Sequence, residues 1–218
     1  MIAVFLGPPG SGKGTQAATI SQRLGLKHLD MGGELREEVR SGSQLGQTIR
    51  SFTDRGELVP IGVVSDIIRR FFSKQDGKGV ILDGFPRSVE QAEVLEGILS
   101  ERGEDVDLVV YFDISVECLV ERLVNRRYCP SCNRVYNLVS RRPRKDEVCD
   151  EDGASLTRRA DDGEEVVRRR FDVYERETTP MVEYFRQRGK LVRLDASKSV
   201  DEALNELEGH FKIEAKDS

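Results

Sequence analysis

Ile2-Ala3-Val4-Phe5-Leu6 runs directly into Gly7-Pro8-Pro9-Gly10-Ser11-Gly12-Lys13-Gly14-Thr15. A short, continuous apolar run of this kind reads as a strand buried on both faces. The loop that follows gives way to a helical pattern beginning near Gly14. Successive backbone N–H groups in such a loop point inward and form a concave anion site at the positive end of a helix dipole. Gly10 and Gly12 let the backbone approach phosphate oxygens, and Ser11, Gly14 and Thr15 complete the cradle. Lys13 adds a mobile point charge. An ordinary Gly/Pro turn needs no Lys at this spacing, so the stretch predicts a site for a nucleoside triphosphate or a close relative.

The other strands follow from the same signal. Val80–Leu82, Leu108–Phe112 and Leu191–Leu194 are short, β-branched and nearly continuous, with a fifth candidate at Lys27–Leu29. Long helical stretches separate them. Strands alternating with helices predict an α/β fold with a parallel sheet, whose ligands bind beyond the carboxyl ends of the strands. Three of the runs end in candidate functional residues: the glycine loop, Asp83-Gly84-Phe85-Pro86-Arg87, and Asp113. An amphipathic helix over Asp201–Phe211 and a charged tail close the pattern.

Composition bounds the rest. The chain has 218 residues, 38% hydrophobic and 33% charged, enough for one substantial core carrying an insertion. A net charge of −5 argues against a general nucleic-acid binder. No run is long enough for a membrane span and no leader pattern opens the chain, so a cytoplasmic enzyme is the expectation.

Between about Arg126 and Asp162 the composition changes to Cys, Arg, Pro and acidic residues. Cys129-Pro130-Ser131-Cys132, then sixteen residues, then Cys149-Asp150-Glu151-Asp152 has the spacing of two zinc knuckles, with Asp152 where a fourth Cys would stand. Three thiolates and a carboxylate suit a closed, structural Zn²⁺ site. A disulfide is out of place in a cytoplasmic chain, and the Cys-x-x-Cys does not open a helix after a strand as a redox pair would. A subdomain this small cannot bury enough apolar surface by itself, and metal ligation replaces the missing core. Cys118, in the helical stretch Val116–Val124, reads as a small buried hydrophobe.

Together these features resemble the adenylate kinases in their long, zinc-containing bacterial form. The likeness runs from Ile2 to about Phe211. It rests on Gly7–Thr15, Gly32 with Leu35-Arg36, Gly56-Glu57-Leu58-Val59, Asp83–Arg87 with Gln91, Arg122, Arg126-Arg127, the Cys/Asp quartet, Arg159-Ala160-Asp161-Asp162 and Arg170. The resemblance implies a P-loop nucleoside kinase core, a monophosphate-binding helical insertion at 30–59 and a zinc-containing lid at 126–162. It implies reversible transfer of a phosphoryl group from MgATP to AMP, giving two ADP, by a monomer.

Residue roles follow from the same likeness. Arg36 and Arg87 would hold the monophosphate, Arg126 the triphosphate, and Arg159 and Arg170 would reach in from the lid and its hinge. With Lys13, these last four complete the catalytic set. Arg forks match phosphate oxygens bidentately, and phosphoryl transfer is mostly a matter of positioning and charge neutralisation. Arg122, Val135, Tyr136 and Lys198 would lie near the ATP base. Glu57, Leu58, Val59 and Gln91 would frame the monophosphate base beside Gly84, Phe85 and Pro86, whose Phe–Pro bond the family suggests is cis. Asp83 would anchor the waters of Mg²⁺, with Ser88 rather than Asp83 free to cap the next helix.

Two positions depart from the usual pattern. Gly14 stands where most P-loops carry a Ser or Thr that ligates Mg²⁺. Asp30-Met31-Gly32-Gly33 stands where the family has Ser-Thr-Gly-Asp. A thioether thus replaces a hydroxyl near the monophosphate base, and the loop's supporting Asp at 33 is missing, which bears on base preference and acceptor affinity. A UMP or CMP kinase of the same family is the alternative. A nucleotide-switched zinc-knuckle module that binds nucleic acid is a distant one, since Tyr128 and Tyr136 are the only aromatics of the insertion.

Overall fold

A computed structural model describes residues 1–75, 77, 79–158 and 164–217, with backbone alone for 164 and 213–217. Five parallel strands form the main sheet: β1 (Ile2–Leu6), β2 (Lys27–Asp30), β3 (Val80–Asp83), β4 (Leu108–Asp113) and β7 (Leu191–Asp195). Their order is β2-β3-β1-β4-β7, so the chain crosses β1 between β3 and β4. The register pairs Phe5 with Asp83 and Leu6 with Tyr111, which brings the ends of β1, β3 and β4 level.

β1 is buried along its whole length because both faces are covered. Ile2, Val4 and Leu6 face a cluster built with α4 (Ile61–Ser73), α5 (Val89–Ser100) and α8 (Thr179–Gln187), through Ile68, Leu95 and Phe185 among others. Ala3 and Phe5 face the opposite cluster, supplied by α1 (Lys13–Leu24) and α9 (Val200–Asp217). Phe5 meets Phe112 and Phe211 there, with ring centroids 5.1 and 6.3 Å away. Two covered faces explain the unbroken apolar runs. α9 continues past Phe211 because Lys212 to Asp217 holds no Gly or Pro to stop it.

Two insertions interrupt this core. α2 (Met31–Arg40) and α3 (Gln44–Thr53) follow β2, and the Ser43 hydroxyl caps α3 through the Gly46 N–H at 2.8 Å. After α6 (Val116–Val124), β5 (Arg126–Tyr128) and β6 (Val135–Asn137) pair antiparallel in a separate small sheet. Among the described residues its buried cluster is Cys129, Tyr136, Cys149 and Leu156. α6 buries Leu119 and Leu123 and leaves Val116, Val120 and Val124 exposed. Cys118 is therefore half-buried, not the core residue expected, because the covered stripe of this helix is narrow. A π-helical turn at Tyr174–Thr178 joins α7 (Glu164–Val173) to α8; nothing in the local sequence marks it.

Candidate functional site

A cavity of about 1090 Å³ opens beyond the carboxyl ends of β1 and β3, beside the strand crossover. The glycine loop forms its floor. Gly10 and Gly12 have φ of 89° and 96°, and a Cβ on Gly10 would lie 2.8 Å from Leu123 Cγ, so no other residue fits there without strain. The Lys13 ammonium folds back onto the loop, donating to Gly7 O at 2.6 Å, Pro8 O at 2.9 Å and Ser11 Oγ at 3.3 Å. These bonds hold the charge at the place where a phosphate would meet it.

That charge is held against its surroundings. Lys13 is half-buried at the cavity wall. Desolvation pulls its pKa down to about 8; Asp83 opposes the shift, while Arg87, Arg170 and Arg126 add to it. Three guanidinium groups thus act on Lys13 around a single space, and all four cations line the cavity. A site that concentrates positive charge in this way is matched to a polyanion.

Arg87 is anchored through both its side chain and its backbone. Its Nε donates to Gly84 O at 2.8 Å and its N–H to Gln91 Oε1 at 2.8 Å, and its carbonyl accepts from Thr178 Oγ1 at 2.7 Å. The Phe85–Pro86 bond just before it is cis. Ser88 caps α5, its hydroxyl accepting from the Gln91 N–H at 3.2 Å, which leaves Asp83 free to face the loop. A Cβ on Gly14 would lie 3.0 Å from Asp83 Oδ2. The carboxylate therefore occupies the space that a Ser or Thr side chain after the Lys would claim.

The remaining predicted residues are placed in several ways. Gly10 to Thr15, Arg36, Leu58, Gly84, Pro86, Arg122, Val135 and Lys198 all line the cavity. Arg122 Nη1 donates to Ser11 O at 3.3 Å, and Lys198 pairs with Glu206 at 2.7 Å on the rim. Met31, Val59, Phe85 and Gln91 are buried behind the wall, and the Gln91 acceptor is already engaged by the Arg87 N–H. Glu57 is exposed and paired with Arg55 at 2.8 Å, which holds its carboxyl below the usual range. Tyr136 touches the cavity, but its hydroxyl is committed to the small subdomain: it accepts from the Asp150 N–H at 2.8 Å and lies 3.4 Å from Cys149 Sγ. Arg159 lies outside the described residues.

Sequence reasoning missed three neighbours of this site. His28 lines the cavity with Nε2 3.9 Å from Asp83 Oδ2. Thr178 ties the π-helical turn to Arg87 across the fold. Asp30 reaches Arg36 at 3.2 Å. Each pairing joins distant segments or reverses direction over a turn, and single-sequence patterns carry no signal for that.

Cys129, Cys132, Cys149 and Asp152 each offer one donor atom, all within 4.8 Å of one another. Cys132 Sγ and Cys149 Sγ are 3.6 Å apart, and Cys129 Sγ lies 3.2 Å from Asp152 Oδ2. Four ligands at roughly 2.0–2.3 Å in tetrahedral array have edges of about 3.3–3.8 Å, so the donor set fits Zn²⁺. The Ala154 N–H donates to Asp152 Oδ1 at 3.0 Å and steadies that carboxylate.

Comparison with known proteins agrees with this geometry. The family model described as adenylate kinase matches residues 5–190. An adenylate kinase of Thermosipho melanesiensis is 43% identical over 208 residues, covering 95% of this chain and 97% of that protein. Those of Petrotoga mobilis and Thermotoga maritima are 40% and 41% identical, each over nearly the full length of both chains. With the glycine loop, the arginine ring and the cysteine subdomain in their expected order, the chain belongs to the adenylate kinase family.

Proposed function

We propose that the cavity transfers the terminal phosphoryl group of MgATP reversibly to AMP, giving two ADP. The observation that carries this reading is the meeting of Lys13, Arg87, Arg126 and Arg170 at one space, between the glycine loop and the wall formed by Arg36, Leu58 and Gly84. The loop and Lys13 take the triphosphate, with Arg122 and Arg126 above it. Arg36 and Arg87 take the monophosphate. Arg170 completes the charge around the phosphoryl group in flight, and the family resemblance assigns Arg159, outside the described residues, to the same task. The protein need supply no covalent chemistry, only alignment and electrostatic stabilisation of a transition state whose charge is spread over several oxygens.

Mg²⁺ bound with ATP would neutralise phosphate charge. Asp83 stands beside Gly14 to hold its waters, which Mg²⁺ retains readily. Zn²⁺ on Cys129, Cys132, Cys149 and Asp152 holds the small subdomain together and has no open position for chemistry. The segments 30–59 and 126–162 act as the monophosphate-binding part and the lid, closing so that water cannot take the phosphoryl group. The protein works as a cytoplasmic monomer; among the described residues no helix is long and apolar enough to cross a membrane.

The test is a coupled assay that offers MgATP with AMP, CMP, UMP and GMP in turn. AMP as the best acceptor, with ADP formed at two per AMP consumed, is the expected result. A better rate with CMP or UMP would reassign the base and leave a monophosphate kinase.

A further inference from the structure

The first turn of α2 has no side chain at positions 32 and 33, and an ion pair fills the space. Asp30 ends β2, and its carboxylate folds back over the turn that follows. A Cβ built on Gly33 lies 2.6 Å from Asp30 Oδ2 and 3.0 Å from its Cγ, and one built on Gly32 lies 2.9 Å from Arg36 Nη1. Asp30 Oδ2 accepts from Arg36 Nη2 at 3.2 Å. A side chain at 33 and this placement of Asp30 exclude each other. All four residues line the cavity.

Ordinary stabilising roles do not account for the pair. Asp30 makes no capping bond to α2, although it occupies the cap position. Its side chain is 45% exposed and that of Arg36 37%, so the pair adds little to folding. It restricts where the Arg36 guanidinium can sit. Asp30 engages Nη2 alone, so the other N–H groups of the guanidinium can meet a phosphate while the pair persists.

We infer that Asp30 is a positioning residue for the acceptor: its carboxylate holds Arg36 over the cavity, and Gly33 is the vacancy that this carboxylate requires. The family's usual order puts a carboxylate at 33 and a hydroxyl at 30. Here the acid comes from the strand end instead, so its loss at 33 is made good from position 30. The inference rests on the reading of Arg36 as a monophosphate ligand.

The test measures kcat and KM for AMP and for ATP, with melting temperature, in the unmodified enzyme and four variants. Asp30→Ser should raise KM for AMP about threefold to tenfold, the equivalent of ordering one freed arginine. The kcat, the KM for ATP and the melting temperature should stay close to those of the parent. Gly33→Ala should push the carboxylate aside and raise KM similarly, yet add nothing when Asp30 is already Ser. Asp30→Ser with Gly33→Asp should return KM to within about twofold of the parent. An unchanged KM in Asp30→Ser, additive effects of Asp30→Ser and Gly33→Ala, or no recovery in the exchanged pair would each overturn the inference. Failure of the parent enzyme to phosphorylate AMP would instead overturn the assignment of function, so the two failures are distinct.

Discussion

The glycine loop and the cysteine subdomain are stabilised in opposite ways. The loop hangs from a strand buried on both faces, in a sheet covered by clusters of aliphatic and aromatic residues. That support is strong enough to hold the Lys13 ammonium in a place that depresses its pKa. The subdomain has a buried cluster of four residues, two of them cysteines, and gathers four metal donors within 4.8 Å. One region spends fold stability on a reactive charge, whereas the other depends on a ligand for its fold. A group needed for chemistry can therefore be destabilising where the core is large, while a group without chemistry can be indispensable where the core is small.

The largest expected effect separates the two regions at once. Lys13→Met should lower turnover by about three orders of magnitude, since contacts of this kind to the transferring phosphate are commonly worth several kcal/mol. The protein should remain folded. Near-normal turnover would remove the loop from the site.

Next comes the metal. Protein prepared without added metal should carry one zinc per chain by elemental analysis. Chelation, or Cys149→Ser, should lower the melting temperature well before it lowers kcat at moderate temperature, because the ion closes the subdomain. Equal losses of rate and stability at every temperature would make the two regions one unit and break the comparison.

A smaller effect sharpens the loop's side of it. Gly14→Ser presses a Cβ against Asp83 Oδ2, 3.0 Å away, and should reduce kcat about tenfold while raising the Mg²⁺ concentration needed for half activity. An improved rate would mean that the hydroxyl ligates Mg²⁺ and that Asp83 has no part in holding it.

Met31→Thr should give the smallest change. Met31 is buried among Leu35, Val59 and Phe85, so the substitution should lower stability by about 1–2 kcal/mol and reduce KM for AMP by less than tenfold. A greater fall in KM would place the side chain against the base.

Local features of this chain were legible in its sequence. The strand–loop–helix at Ile2–Thr15, the four other strands and the Cys/Asp spacing are contiguous or fixed in period, and the fold places them as the pattern implies. Only long-range placement reveals the rest. Asp83 fills the space at Gly14, Thr178 holds the Arg87 carbonyl, and Asp30 turns back to take the room left by Gly33. The resemblance pointed to Gln91 as a base reader, but its acceptor already serves the Arg87 N–H. In each case the residue's identity was visible, while its partner depended on how the sheet brings distant segments level, as for Asp83 and Thr178, or on how a single turn folds, as for Asp30 and Gln91.

Stability against pH, measured side by side for the parent chain and Lys13→Met, tests the central claim most directly. The Lys13 pKa is about 8 in the folded state against 10.5 unfolded. Below pH 8 the buried charge therefore destabilises the parent in full, by roughly 3–4 kcal/mol at ~1.4 kcal/mol per pKa unit. Between 8 and 10.5 the unfolded chain binds the extra proton and the penalty fades. Lys13→Met should accordingly be the more stable protein at pH 7, and its advantage should shrink steadily as pH rises toward 10. Parallel stability curves, or a variant less stable than the parent at pH 7, would contradict the account.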